Sequence, residues 1–287
     1  MYIEEIKQRF NSTEKLYHYT TFDSAIKILQ SRSLLFGRLK DMNDINELYR
    51  PMVPDFNPNR QAENNDRLYD NLDKEINKYQ QISLTMDGRR YGFDIPAMWG
   101  HYANKGKGVC LVFDKNKFVN RLKDEQKRHL LYGKIVYTDD FFSTIICQTK
   151  ADDSIIPFTK KEEKGWFFRK TKDWQYEQEF RVLIKSDSES REKLMFQDSL
   201  IAVVMHNAES VALNQTIYDS LEFQIINKII SSYRPSIPVL EHCAFIQERL
   251  LITDGHTIWT SNPINDEDFA SEAIEMIEKD KSVIIGI

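Results

Sequence analysis

Asp173-Trp174-Gln175-Tyr176-Glu177-Gln178-Glu179-Phe180-Arg181 is the stretch from which the rest of the chain can be placed. In an extended chain side chains alternate between two faces, so Glu177, Glu179 and Arg181 line one side while Trp174, Tyr176 and Phe180 belong to the apolar remainder. Two carboxylates about 7 Å apart on one strand face repel unless a cation lies between them. The pattern predicts a strand over 176–185 whose charged face belongs to a ligand site. The plainer reading is a solvent-facing strand with a cross-strand ion pair.

Upstream of this stretch, Lys15 to Thr20 is a run of aromatic and β-favouring residues and reads as a strand. A helix follows it, capped by Thr21 or Asp23, with Ala25, Ile26 and Leu29 as its apolar stripe, and Leu34 to Phe36 gives a second short strand. Ile3, Ile6 and Phe10 predict a short helix before the first strand, and Lys40 to Glu47 a polar loop. Prolines between 51 and 58 break regular structure, after which Leu68, Leu72, Ile76 and Tyr79 predict a helix over 61–80 and Gln81 to Met86 a strand. Asp94 is placed to cap a short helix carrying Met98, Trp99, His101 and Tyr102. Val109 to Phe113 reads as a central buried strand.

Lys115 to Leu130 reads as a basic amphipathic helix with a solvated face, Tyr132 to Thr138 as a strand, and 159–170 as a helix. Residues 141–147 fit helix or strand equally. Further on come a strand over 200–205, a long helix over 210–231 and a hairpin over 249–260 turned at Asp254-Gly255. An acidic helix over 265–280 and an apolar end close the chain.

Strands and helices do not alternate strictly, so the expected class is α+β, with a mixed, mainly antiparallel sheet and flanking helices. The 287 residues are read as one domain, with a core over 15–205 and residues 206–287 completing or covering it. Hydrophobic residues at 41% and charged residues at 29% match ordinary globular usage, so a full core can be buried. A net charge of −5 argues against general attraction to nucleic acid or to an anionic membrane. Cys110, Cys147 and Cys243 form no Cys-x-x-Cys pair, and no apolar run reaches membrane-span length, so a cytoplasmic setting is expected.

Gly100 to Gly108 misses a phosphate-binding loop, because no Ser or Thr follows Lys107, and Gly106-Lys107-Gly108 lacks the third glycine of a dinucleotide fingerprint. What remains is a dispersed set: Leu16-Tyr17-His18-Tyr19-Thr20, Asn43-Asp44, Met98-Trp99-Gly100-His101-Tyr102-Ala103, Gly108-Val109-Cys110-Leu111, and Trp174 to Arg181. Together these resemble a large bacterial family of unknown function, some of whose relatives are linked to abortive phage infection.

The strand-one His-x-Thr, with the helix and short strand after it, also resembles the opening of DNA-targeting ADP-ribosyltransferase toxins. That resemblance implies an ADP-ribosyltransferase-like fold with NAD as substrate. It implies that His18 holds a ribose hydroxyl, with Tyr19 and Thr20 beside it, that Tyr102, near His101, packs on nicotinamide, and that Glu179, ahead of Glu177, orients the ribose. Arg181 would pair with the pyrophosphate or hold the carboxylates ionised. The implied role is an effector in phage defence or a toxin system that modifies a macromolecular acceptor, nucleic acid or protein, with a cognate antitoxin or defence partner. Two other readings stay open: a non-enzymatic sensor or antitoxin-like binding module, and a metal-dependent nuclease using Asp44, Glu177 and Glu179. For the residues themselves, core packing is the plain alternative at His18, Trp99 and Tyr102, and His242 and His256 are read as structural.

Overall fold

The computed structural model describes residues 12–42, 70–88, 91–124, 129–139, 159–188, 190–206 and 220–242, and the strand backbone at 250–253 and 257–260. The N-terminal helix, the loop at 43–47, the segment 141–147, Cys147, Cys243, His256 and the acidic tail lie outside them.

β1 (Lys15–Thr20) leads into α1 (Phe22–Ser31), whose first turn is closed by the Thr21 hydroxyl accepting from the Ser24 amide. The helix stops at Arg32 in the left-handed region, whose amide bonds back to Ile28. β2 (Ser33–Leu35) and β3 (Gly37–Arg38) follow. Residues 70–76 are helical, but β4 begins at Tyr79 and runs to Met86, so the expected helix ends earlier than its apolar spacing suggested. α2 (Pro96–Tyr102) has proline in its first turn, while Asp94 bonds His242 instead of capping it.

β5 (Val109–Asp114) is buried at every residue, as its unbroken apolar run requires. α3 (Lys115–Asp124) ends short of the expected position, and Leu130 belongs to β6 (His129–Lys134). β7 (Val136–Tyr137) pairs with β8 (Arg169–Lys170), so helix α4 (Lys160–Phe167) is shorter than the expected 159–170. Thr159 and Glu162 close its start as a capping box. β9 (Glu179–Lys185), β10 (Lys193–Met195) and β11 (Leu200–His206) come next. α5 (Leu221–Ile230) has Ser220 as its extended N-cap, so the helix expected over 210–231 begins at 221 in the described part. β12 (Val239–His242) had no sequence signal strong enough to be placed, and β13 (Leu250–Thr253) with β14 (Thr257–Thr260) forms the expected hairpin.

Among the described residues ten strands form one sheet, in the order β14-β13-β12-β11-β5-β1-β4-β9-β6 with β3 also on β4. Every pairing in it is antiparallel except β11 with β12, which bears out the mixed, mainly antiparallel α+β class. Period-two alternation divides the core. Leu16, Leu84, Leu111 and Val182 pack on one face with Ala25 and Leu29 of α1, Phe118 of α3 and Ile226 of α5. Tyr17, Tyr19, Cys110 and Val112 pack on the other with Met98 and Trp99 of α2. Tyr79 and Leu183 continue into a third cluster with Trp166 and Phe167 of α4.

One irregularity positions the site. β1 holds its register with β5 over all six residues, Lys15↔Asp114 through Thr20↔Val109. It meets β4 only at Leu16↔Met86 and Tyr17↔Thr85, and β3 takes that edge of β4 further along, at Gly37↔Gln81 and Arg38↔Gln80. The two strands therefore part beyond Tyr17 and Thr85, and a wedge opens in the middle of the sheet. Gly108 keeps the β1 side of this fork tight: a Cβ there would lie 2.3 Å from the Thr20 carbonyl oxygen.

Candidate active site

The wedge between β1 and β4 contains a cavity of about 270 Å³. His18 and Tyr19 enter it from β1, Ser83 and Thr85 from β4, Tyr102 from α2, Lys170 from β8, and Glu177 and Glu179 from the segment around the start of β9. Five residues singled out from the sequence thus share one cavity: His18, Tyr19, Tyr102, Glu177 and Glu179.

The local conformation differs from the expected strand. Lys172–Glu177 is a 3₁₀ helix, Gln178 sits in the left-handed region at φ 46°, and extended structure begins only at Glu179. Glu177 and Glu179 are therefore not two residues of one strand face. The left-handed residue between them turns the chain, and both side chains converge on the same ammonium. Lys170 Nζ lies 2.7 Å from Glu177 Oε2 and 3.0 Å from Glu179 Oε2. The cation that two neighbouring carboxylates require is supplied by the protein, from a position the sequence reading left inside a helix.

Arg181 completes the arrangement from beneath. Its guanidinium is 1% exposed and embraces Glu179 through Nε to Oε1 at 2.7 Å and a terminal nitrogen to Oε2 at 2.8 Å. A further nitrogen donates to the Phe167 carbonyl at 2.5 Å. Arg181 does not line the cavity, and its guanidinium is engaged by Glu179. Thr20 is buried away from the cavity, and exposed His101 stacks on Tyr176 outside it.

Glu177, Glu179, Lys170 and Arg181 balance in formal charge, yet the two acids are held differently. Burial raises the Glu177 pKa above the usual carboxylate value, and Lys170 and the Tyr102 hydroxyl only partly oppose it. Glu179 is also buried, but Arg181 and then Lys170 overcome that effect and hold its pKa well below the usual value. Tyr102 donates to Glu177 Oε1 at 2.5 Å, and burial followed by the Glu177 charge keeps its phenol protonated. The Tyr137 hydroxyl accepts from the Glu179 amide at 2.8 Å and fixes the start of β9. Partial burial lowers the His18 pKa below the usual imidazole value, opposed by its Nδ1 contact at 3.4 Å to the Ser83 carbonyl oxygen across the fork.

Two carboxyls whose proton affinities are driven apart form a pairing suited to acid–base work beside a fixed negative charge. Among the described residues no group of three or more His, Cys, Asp and Glu side chains comes together to hold a metal ion. Asp44, the third ligand in the nuclease reading, lies outside them. His242, expected to be structural, is fully buried with Nε2 3.0 Å from Asp94, and burial keeps its pKa at about 4.

Lys170 is the site residue that the sequence did not single out. In Arg169-Lys170-Thr171-Lys172 it resembles a solvated basic run, and only the β7–β8 pairing turns it inward. No described helix is long and apolar enough to cross a membrane. No curated protein matches the chain. Residues 98–182, which run from α2 into β9 and include Tyr102, Lys170, Glu177, Glu179 and Arg181, match a family described as proteins of unknown function, DUF2971. Over that segment, which holds both glutamates and the two cations on them but not His18, the chain is similar to the DUF2971 proteins.

Proposed function

We propose that the chain is an ADP-ribosyltransferase-like enzyme that cleaves NAD at the nicotinamide–ribose bond and passes ADP-ribose to a macromolecular acceptor, acting in phage defence or a toxin system. The observation in its favour is the convergence of His18, Tyr102, Glu177 and Glu179, from three separate parts of the chain, on one cavity. At about 270 Å³ the cavity is near the lower end of small-molecule sites, typically about 300–1,000 Å³. It suits the nicotinamide–ribose end of the substrate. Lys170, the lysine on its wall, is already engaged by both carboxylates, so the fit does not extend to the pyrophosphate.

In this reading His18 holds a ribose hydroxyl and Tyr102 flanks the nicotinamide. Glu179, fixed as an anion, faces the positive charge that develops on the ribose as the glycosidic bond breaks. Glu177, whose proton affinity is raised, accepts the proton of the attacking acceptor group. A binding module is the second reading, favoured by the exact charge balance of the tetrad and its satisfied hydrogen bonds. A magnesium site is disfavoured, since the carboxylate oxygens already carry Lys170, Arg181 and Tyr102.

The test is incubation of the purified protein with adenylate-labelled NAD and cell extract, following nicotinamide release and label incorporation. Wild type is expected to give both, and Glu179→Gln, checked for folding by circular dichroism, to lose about 10²–10³-fold in release. Absence of release and of incorporation by the wild type with every acceptor class would sink the proposal.

A further inference from the structure

We infer that Lys170 is a positioning residue that gives the two glutamates their separate roles by holding Glu177 ionised at the cavity wall. The catalytic meaning of this rests on the transferase reading, whereas the electrostatic claim does not.

The partners of the two carboxylates differ in kind. Glu179 receives Arg181 on both oxygens, at 2.7 and 2.8 Å, and would keep a cation if Lys170 were removed. Glu177 receives Tyr102 on Oε1 and Lys170 on Oε2, and of these only Lys170 is cationic. Tyrosine does not substitute for it. A phenol donates to a carboxylate but can also accept from a protonated carboxyl, so it tolerates both states of Glu177.

Among the described residues no second cation is bonded to Glu177. Tyr102 comes from α2, Tyr176 from the 3₁₀ helix and Tyr137 from β7, while Glu179 on β9 is a like charge and Arg181 is committed to it. Glu177 is 3% exposed, so bulk water supplies little of the missing stabilisation. Without Lys170 the proton affinity of the group proposed to accept a proton would rise further.

The position of Lys170 is built by the fold. Lys170 and Tyr137 are register partners on the two-residue strands β8 and β7, so one short ladder delivers both the ammonium on the carboxylates and the hydroxyl on the Glu179 amide. The Lys170 ammonium also lies 5.3 Å from the Trp174 ring centroid, which closes the side of the 3₁₀ helix over it.

The experiment is a carboxyl-carbon NMR titration of protein labelled at glutamate, with Glu177→Gln and Glu179→Gln assigning the two resonances. In Lys170→Met the Glu177 midpoint is expected to rise by about 1–3 pH units while that of Glu179 moves less, and Lys170→Arg is expected to bring the Glu177 midpoint back towards its wild-type value. An unmoved Glu177 midpoint, or a larger shift at Glu179, would overturn the inference. If Lys170→Met folds poorly, thermal unfolding of the double variants decides. Glu177→Gln is expected to recover more of the lost melting temperature than Glu179→Gln, and the reverse order counts against the inference. Neither measurement contains NAD, so failure here and failure of the transferase reading are told apart.

Discussion

Replacing Arg181 with methionine is expected to lower the unfolding free energy by about 3–5 kcal/mol, the cost of leaving a buried charge without its partner. Arg181 and Glu179 are 1% and 2% exposed, and the guanidinium supplies two hydrogen bonds to the carboxylate and another to the Phe167 carbonyl. Methionine fills much of the volume but makes none of these bonds, so among the described residues Glu179 keeps only Lys170 as a cation, already shared with Glu177. Against a total stability of about 5–15 kcal/mol for a natural domain, the loss is large enough to read directly from urea denaturation. Adding Glu179→Gln removes the orphaned charge and is expected to recover part of the loss. A decrease below about 1 kcal/mol in the single variant would mean that this pair behaves as an exposed one.

Glu177→Gln is expected to cut acceptor modification by about 10²–10⁴-fold, the usual contribution of a positioned general base. Nicotinamide release should be affected less, because Glu179 and its Arg181 clamp remain. The pH dependence follows from the direction of the shift. Burial raises the pKa of Glu177, so its basic form fills only above that raised value, and transfer is expected to fall as the pH drops through it. Glu179, whose pKa is lowered, stays ionised across the same window. The acid limb of the transfer rate should therefore vanish in Glu177→Gln. Equal losses of release and transfer, or an unchanged acid limb, would remove Glu177 from the proton-accepting role.

Periodicity made the strands legible where both faces are apolar or aromatic. β1, β5, β9 from Glu179 and β11 fall where alternation or an unbroken apolar run marks them. Element ends were less legible, because they depend on tertiary partners. Tyr79 continues the apolar spacing of the preceding helix, yet it opens β4, where its hydroxyl reaches Glu163 at 2.6 Å. Leu130 similarly continues the stripe of α3 but pairs with Ile184 on β9.

At the site, His18, Tyr102, Glu177 and Glu179 were visible as residue types, but their arrangement was not. Alternation assigned Glu177 and Glu179 to one strand face, whereas left-handed Gln178 separates a 3₁₀ helix from the strand between them. No local pattern requires glutamine there. Lys170 was hidden for another reason: a lysine among basic neighbours reads as solvated, and only the short β7–β8 ladder buries it. The fork between β1 and β4 is a property of pairing across the sheet and has no signature within either strand.

Isothermal calorimetry of NAD with the wild type and with His18→Ala tests most directly whether the fork is a substrate site. His18 stands on the cavity wall with its Nδ1 3.4 Å from the Ser83 carbonyl oxygen, a long contact, so its removal should disturb the fold little. The expected result is measurable heat with the wild type and an affinity about tenfold or more weaker in His18→Ala, corresponding to a lost hydrogen bond of about 1.4 kcal/mol or more. No binding by the wild type, or equal affinity in both proteins, would contradict a nicotinamide–ribose site between β1 and β4.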